Sequence, residues 1–181
     1  MTYQPAEDSF LLAAVVKNYA KNKTVLDMGT GSGIQAQTAF TAKAKTVLAA
    51  DIDPEVISHL KKKIPSIQSD LFSNISSSFD LIICNPPYLP EDTREPQHSR
   101  LQTTGGKKGD ELILRFLKTA PDHLNKKGII LLLLSSLTPQ KRILSLLKKE
   151  NLTHEIIAEK KLFFESLYVW KIEKIISSFH K

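Results

Sequence analysis

The four residues Asn85-Pro86-Pro87-Tyr88 close an apolar run, Phe79-Asp80-Leu81-Ile82-Ile83-Cys84, and their types suit the gripping of a flat amino group. An asparagine offers a side-chain carbonyl oxygen as acceptor. The two prolines fix φ and carry no N–H, so nearby backbone carbonyls can face a ligand as well. Tyr88 adds a ring that can pack on a planar group. Such a site reads an amino group on a conjugated carbon rather than the molecule bearing it, so glutamine, adenine and cytosine all qualify. A lysine ammonium suits it less, because it must first lose a proton.

A second cluster lies upstream. Thr24-Val-Leu-Asp-Met28 reads as a buried strand and runs directly into Gly29-Thr-Gly-Ser-Gly33. Glycines at alternate positions allow a tight turn and close approach of backbone to ligand. The spacing differs from the dinucleotide fingerprint, whose loop seats a pyrophosphate. Asp27, at the strand end, would repel phosphate and suits a ligand with a cationic amino acid portion. A further strand, Val47 to Asp51, ends in a carboxylate about twenty residues past the glycine turn, the distance at which an acid reaches ribose hydroxyls. Asp53-Pro54 reads as cap and first residue of a helix, leaving Asp51 free for a ligand. In Ile67-Gln-Ser-Asp70-Leu71 another acid meets a strand end; Asp70 can accept from an adenine amino group, with Ile52 and Leu71 on either side of the ring.

Taken in this order, Asp27-Met-Gly-Thr-Gly-Ser-Gly33, Asp51, Asp70 and Asn85-Pro-Pro-Tyr88 resemble a class I S-adenosylmethionine-dependent methyltransferase. Tyr3-Gln-Pro-Ala-Glu-Asp-Ser9 with Phe10-Leu-Leu12, Asn85 to Pro90, and Gly105-Gly-Lys-Lys-Gly109 followed by Asp110 to Phe116 narrow the resemblance to the HemK family, in its short archaeal and eukaryotic branch. The resemblance implies S-adenosylmethionine as cofactor, with Ser9, Asp27, Gly29, Gly31 and Gly33 on its methionine and loop side. Asp51 would hold the ribose, Asp70 with Leu71 and Ile52 the adenine, and Asn85 would lie on the cofactor as well. Asn85, Pro86 and Tyr88 would be catalytic, and with Pro87 they would bind the acceptor: Asn85 Oδ1 and the Pro86 carbonyl each accept from its –NH₂, and Tyr88 packs on its plane. The implied substrate is the glutamine of the Gly-Gly-Gln loop of a class I release factor, methylated at N5; the alternative is an N6-adenine methyltransferase acting on DNA or RNA. The implied partner is a small zinc-binding activator, for which the edge around Ile64 to Ile67, with Val47 and Leu48, is the candidate surface. Two positions depart from the family pattern: Asp27 stands where glutamate is commoner, and Lys108 where many relatives carry an acid or amide.

Composition agrees with one compact cytoplasmic enzyme, a single class I methyltransferase domain over residues 1–181 whose first 22 residues cover the cofactor site. The 41% hydrophobic and 24% charged content is ordinary for a globular chain. No apolar run reaches membrane length and no signal peptide opens the chain. Cys84 is the single cysteine, and the five histidines form no metal-binding spacing, so no metal is expected. The net charge of +6 sits in lysine pairs and triplets at helix ends and turns, so nucleic acid is a possible partner but not the favoured one.

The elements that must position these residues alternate along the chain. Helical spacing covers Glu7 to Tyr19, 34–42 and 54–63, and strands are expected near 24–28, 46–51, 66–69 and 80–85. Pro86 to Lys108 is a long irregular stretch of functional length. Gly109 to His123 reads as helix, Gly128 to Ser135 as strand, and Thr138-Pro139 as the cap of a helix to Glu150. His154 to Lys161 and Glu165 to Ile175 read as a hairpin around Phe163-Phe164, with a tail from Ser177. The expected architecture is α/β: a Rossmann-like, seven-stranded, mostly parallel sheet with helices on both faces and a C-terminal antiparallel hairpin.

Overall fold

The computed structural model describes residues 5–90 and 104–175. Tyr3, the middle of the Pro86 to Lys108 stretch and the tail from Ser177 lie outside the described residues. Helix α1 (Glu7–Tyr19) precedes strand β1 (Thr24–Met28), α2 (Ile34–Thr41), β2 (Thr46–Asp51), α3 (Pro54–Leu60) and β3 (Ser66–Gln68). Then come β4 (Phe79–Cys84), α4 (Glu111–Thr119), β5 (Leu124–Ser135), α5 (Gln140–Lys149), β6 (Leu152–Lys161) and β7 (Ser166–Lys174).

The seven strands form one sheet in the order β3-β2-β1-β4-β5-β7-β6. The first five run parallel, and β7 is antiparallel to both β5 and β6. Both faces are covered, which is why the central runs of β4 and β5, residues 81–84 and 129–134, are continuously apolar rather than alternating. One face buries Leu26, Met28, Ile82, Leu132 and Trp170 with Ile113 and Phe116 of α4 and Ile143 of α5. The other buries Val25, Leu81, Ile83, Leu131 and Val169 with Leu12 and Val16 of α1 and Ala36 and Ala39 of α2. Asp80 ties three strands at their start: it accepts from Thr24 N at 2.9 Å and from Asn125 Nδ2 at 2.8 Å. Those bonds, the Thr24 backbone bond foremost, hold its carboxyl below the usual range. No helix among the described residues is long and apolar enough to cross a membrane.

Several boundaries differ from the sequence expectation. Helix α3 stops at Leu60 rather than residue 63, because Pro65 disfavours helical backbone at Ile64 and Lys61–Lys63 form a turn instead. Strand β5 reaches back to Leu124, which pairs with Phe79 across an irregularity in register. Helix α4 starts at Glu111 and gives way to a 3₁₀ turn over Ala120–His123, where Pro121 brings no N–H. Thr138 does not cap α5; its hydroxyl accepts from Ser135 N at 3.3 Å.

Candidate functional site

The carboxyl ends of β1, β2, β3 and β4 bring the sequence-predicted residues to one side of the sheet. After β1 the backbone turns left-handed at Gly29 (φ 69°) and Gly31 (φ 49°), and a Cβ on either would meet nothing within 4 Å. That open side is where a ligand can approach the turn. Gly33 has a different reason: a Cβ there would stand 2.6 Å from Leu60 Cδ2, so this glycine lets the start of α2 lie against the Leu60 side chain.

Asp27 is buried beneath the turn. Its Oδ2 accepts from the Thr30 hydroxyl at 2.7 Å and from Ala36 N at 2.9 Å. Burial pushes its carboxyl up to about 6 despite those two bonds, and the charge of Asp51 adds to the rise. Asp51 holds the turn from the next strand, accepting from Gly31 N at 2.9 Å and Asp53 N at 3.0 Å. A carboxylate has about four acceptor sites, so both oxygens keep capacity for hydroxyl groups. Asp53 caps α3 through Glu55 N at 2.8 Å, its expected role. Ile52 beside it is 59% exposed, an apolar surface at the mouth. Leu71 sits at φ 48°, a strained position for a branched side chain that ends the β3 segment sharply. Asp70 carries a two-point ion pair with Arg115 Nη2 of α4, at 2.9 and 3.1 Å. An adenine amino group would therefore share that carboxylate with Arg115.

Asn85 follows β4 directly. Its Nδ2 donates to Asp8 Oδ2 at 3.0 Å, which fixes the amide orientation. Its Oδ1 is buried and has no hydrogen-bond partner among the described residues. An acceptor stripped of water without a donor is costly, so it marks where a donor belongs. Ser9, also buried, accepts at its backbone oxygen from Gln35 Nε2 at 2.9 Å, and Gln35 Oε1 is a second buried orphan nearby. Tyr88 is half-buried; burial, then the charges of Glu165 and Asp8, push its hydroxyl well above the usual tyrosine range, so it stays neutral. Cys84 is buried and its thiol is pushed up in the same way, leaving it inert.

The glycine segment packs on this loop. Gly105 N donates to Leu89 O at 2.9 Å, and a Cβ on Gly105 would lie 2.6 Å from Pro87 O. A Cβ on Gly109, at φ 86°, would lie 2.7 Å from Tyr88 O. Lys107 and Lys108 are exposed on the outer turn, so the departure at Lys108 faces water; Lys108 N donates to the Glu111 carboxylate. Asp8, Gln35, Arg115 and Glu165 were not predicted as site residues. Only Asp8, inside the amino-end motif, left any signal in the sequence.

No cluster of three metal-ligating side chains occurs among the described residues. A groove of about 520 Å³ between α1, α2 and α3 is lined by Lys17, Lys63, the apolar Ile34, Leu60 and Ile64, and polar side chains of α2, and contains none of these acids. The arrangement fits a cationic nucleoside: an open left-handed turn, carboxylates at successive strand ends, an exposed apolar side chain and an orphaned acceptor.

Residues 7–164 match the family model for the methyltransferase small domain. The chain belongs to that family. A Methanocaldococcus jannaschii protein, provisionally named a protein N5-glutamine methyltransferase, is 38% identical over 94% of this chain and 92% of its own. The human methyltransferase HEMK2 is 27% identical over 95% of this chain and 89% of its own. Among solved structures, the E. cuniculi Mtq2–Trm112 complex is described as responsible for methylation of the eRF1 translation termination factor. It superposes with a TM-score of 0.78 at 27% identity, covering 96% of this chain and 99% of the matched one. These relatives put the chain in the HemK-type branch, as an N-methyltransferase whose methyl donor is S-adenosylmethionine.

Proposed function

We propose that this chain methylates the side-chain nitrogen of the glutamine in the Gly-Gly-Gln loop of a class I translation release factor. The observation that carries the reading is Asn85 Oδ1, a buried acceptor without a donor whose orientation Asp8 sets. The names of the relatives supply the acceptor class.

S-adenosylmethionine supplies a methyl already activated on a positively charged sulfur, so this chain's residues chiefly bind and align. Asp27 Oδ1, which takes no bond from the described residues, is suited to the methionine ammonium, beside Ser9 and the open backbone of Gly29 and Gly31. Asp51 takes the ribose hydroxyls, Ile52 and Leu71 flank the adenine, and Asp70 accepts its amino group while paired to Arg115. Asn85 Oδ1 and the Pro86 carbonyl each accept from the acceptor –NH₂. That grip aims the nitrogen lone pair at the methyl and weakens its conjugation with the amide carbonyl. Pro87 and Tyr88 pack against the amide plane, and the neutral Tyr88 adds no competing charge. The nitrogen loses its proton after transfer, so no strong base is required.

The whole chain acts as one methyltransferase domain in the cytoplasm, residues 1–22 covering the cofactor. Its partner is a small zinc-binding activator on the β3 edge. Ile64 and Val47, expected to face that partner, are only 3% and 7% exposed and belong to the chain's own core. The edge therefore offers backbone groups of Ser66–Gln68 together with the half-buried Ile67 and Leu48. The test is transfer of labelled methyl to the release factor, to the same factor with its Gly-Gly-Gln glutamine changed, and to unmethylated DNA and RNA. Each arm runs with and without the zinc protein. Label on the unaltered factor alone is the expected result; label on nucleic acid alone replaces this reading with the base-directed one.

A further inference from the structure

Two phenylalanines stand in water at the tip of the β6–β7 hairpin. Phe163 is 92% and Phe164 86% exposed, and their rings meet edge to face with centroids 4.6 Å apart. Exposed apolar side chains are ordinary singly, but a paired set held on a fixed turn marks a contact surface. The turn is fixed: Leu162 N donates to Glu165 O at 2.8 Å, and Lys161 pairs with Ser166.

The tip is on the acceptor side of the molecule. Leu167 pairs with Ser135 at the carboxyl end of β5, the strand whose Leu132 pairs with Cys84 just before Asn85. Glu165 accepts from the Ser135 hydroxyl, and its charge is felt at Tyr88. Lys160 forms an ion pair with Glu7, the residue before the Asp8 that orients Asn85. The phenylalanine pair is thus joined through Glu165 to Tyr88 and through α1 to Asn85, continuous with the rim of the acceptor site.

We infer that Phe163 and Phe164 are the docking surface for the folded protein that presents the acceptor glutamine, contacting its body beside the loop that enters the site. This rests on the protein-acceptor reading above. A glutamine side chain is short, so the protein bearing it must land on the rim, and aromatic side chains are favoured in such contacts. A bilayer is the poorer occupant, because a membrane lying on the tip would also close the mouth that the acceptor uses.

The test compares the wild type with the Phe163→Ser/Phe164→Ser double variant, each with its activator partner. Two acceptors are used: the full release factor and a short peptide carrying only the Gly-Gly-Gln loop. The expected result is a KM for the full factor raised about tenfold, with its kcat, S-adenosylmethionine affinity, melting temperature and peptide kcat/KM unchanged. An unchanged KM for the full factor overturns the proposal. An equal loss with the peptide also overturns it, since the tip would then shape the site itself. Sedimentation with anionic vesicles, lost in the variant, would reassign the tip to a membrane. If the wild type methylates neither factor nor peptide, the acceptor reading fails and takes this surface with it.

Discussion

The grip proposed for the acceptor rests on a single amide. Asp8 takes the NH₂ group of Asn85, which leaves the amide oxygen without a partner among the described residues and able to serve the proposed grip. Asn85→Ala should therefore lower kcat by about 10²–10³, the usual loss for one aligned polar group at a reacting centre. S-adenosylmethionine affinity, read by calorimetry, should stay within a few-fold; loss of both would make Asn85 a cofactor or folding residue. Asp27 gives a pH prediction. Its folded carboxyl titrates at about 6 against an ordinary 3.8. Its contribution to stability is thus fully present below about 4 and lost as pH rises through about 6, on the order of 3 kcal/mol at 1.36 kcal/mol per unit. A bound methionine ammonium favours the ionised form, so cofactor affinity should rise with pH up to about 6 and level off above it. Binding near pH 5.5 should release a proton, seen as a buffer-dependent enthalpy, and Asp27→Asn should flatten the profile. The places of Asp27, Asp51 and Asn85 at or beside strand ends were legible because each closes an apolar run within a short motif. The Asp8–Asn85 bond was not, because its partners lie 77 residues apart.

The elements around the site hold it by close backbone contact and by charge. A Cβ on Gly105 would clash with both Gly109 O and Pro87 O, so it cannot be added without moving backbone. Gly105→Ala should displace the Pro87 to Pro90 segment and cut kcat by about 10²-fold, the scale of a misplacement of about 1 Å. Circular dichroism and cofactor affinity should be little changed. Behind the segment, Arg142 of α5 binds the fully buried Asp110 at 2.9 Å, and Asp110 Oδ2 has no hydrogen-bond partner among the described residues. Arg142→Ala would leave that carboxylate buried without its ion pair and should cost about 1–3 kcal/mol in urea unfolding. Asp110→Asn/Arg142→Ala together should cost less than Arg142→Ala alone. At this scale the sequence was most readable where periodicity was long, as in α1, whose ends match expectation. It was least readable where tertiary pairing set the boundary. Leu124 joins β5 because Phe79 lies opposite, and nothing local to Leu124 announces that pairing.

The whole molecule is a sheet finished on both faces, with β3 and β6 as its two edges. Alternating helix and strand made the parallel sheet legible, and the last two strand-like runs made the hairpin legible. The strand order within the hairpin was not, since residue patterns alone do not say which arm pairs with β5. At the β3 edge, the activator should protect the amides of Ser66–Gln68 from hydrogen exchange and raise the melting temperature of the chain. Unchanged exchange there, with a partner still bound, would place the interface elsewhere.

The position of β7 has a consequence for how the enzyme comes into being. It is the last described strand, yet it lies inside the sheet, with β5 on one side and the earlier β6 on the other. On a growing polypeptide, β1 to β5 can assemble as soon as they leave the ribosome, because each finds a neighbour already made. β6 emerges next and has no strand to join until β7 follows it. The cofactor half of the protein can therefore take shape while translation is still under way. The Ser135–Glu165 corner, on the rim proposed for the acceptor, closes only once β7 has followed β6 and paired with β5.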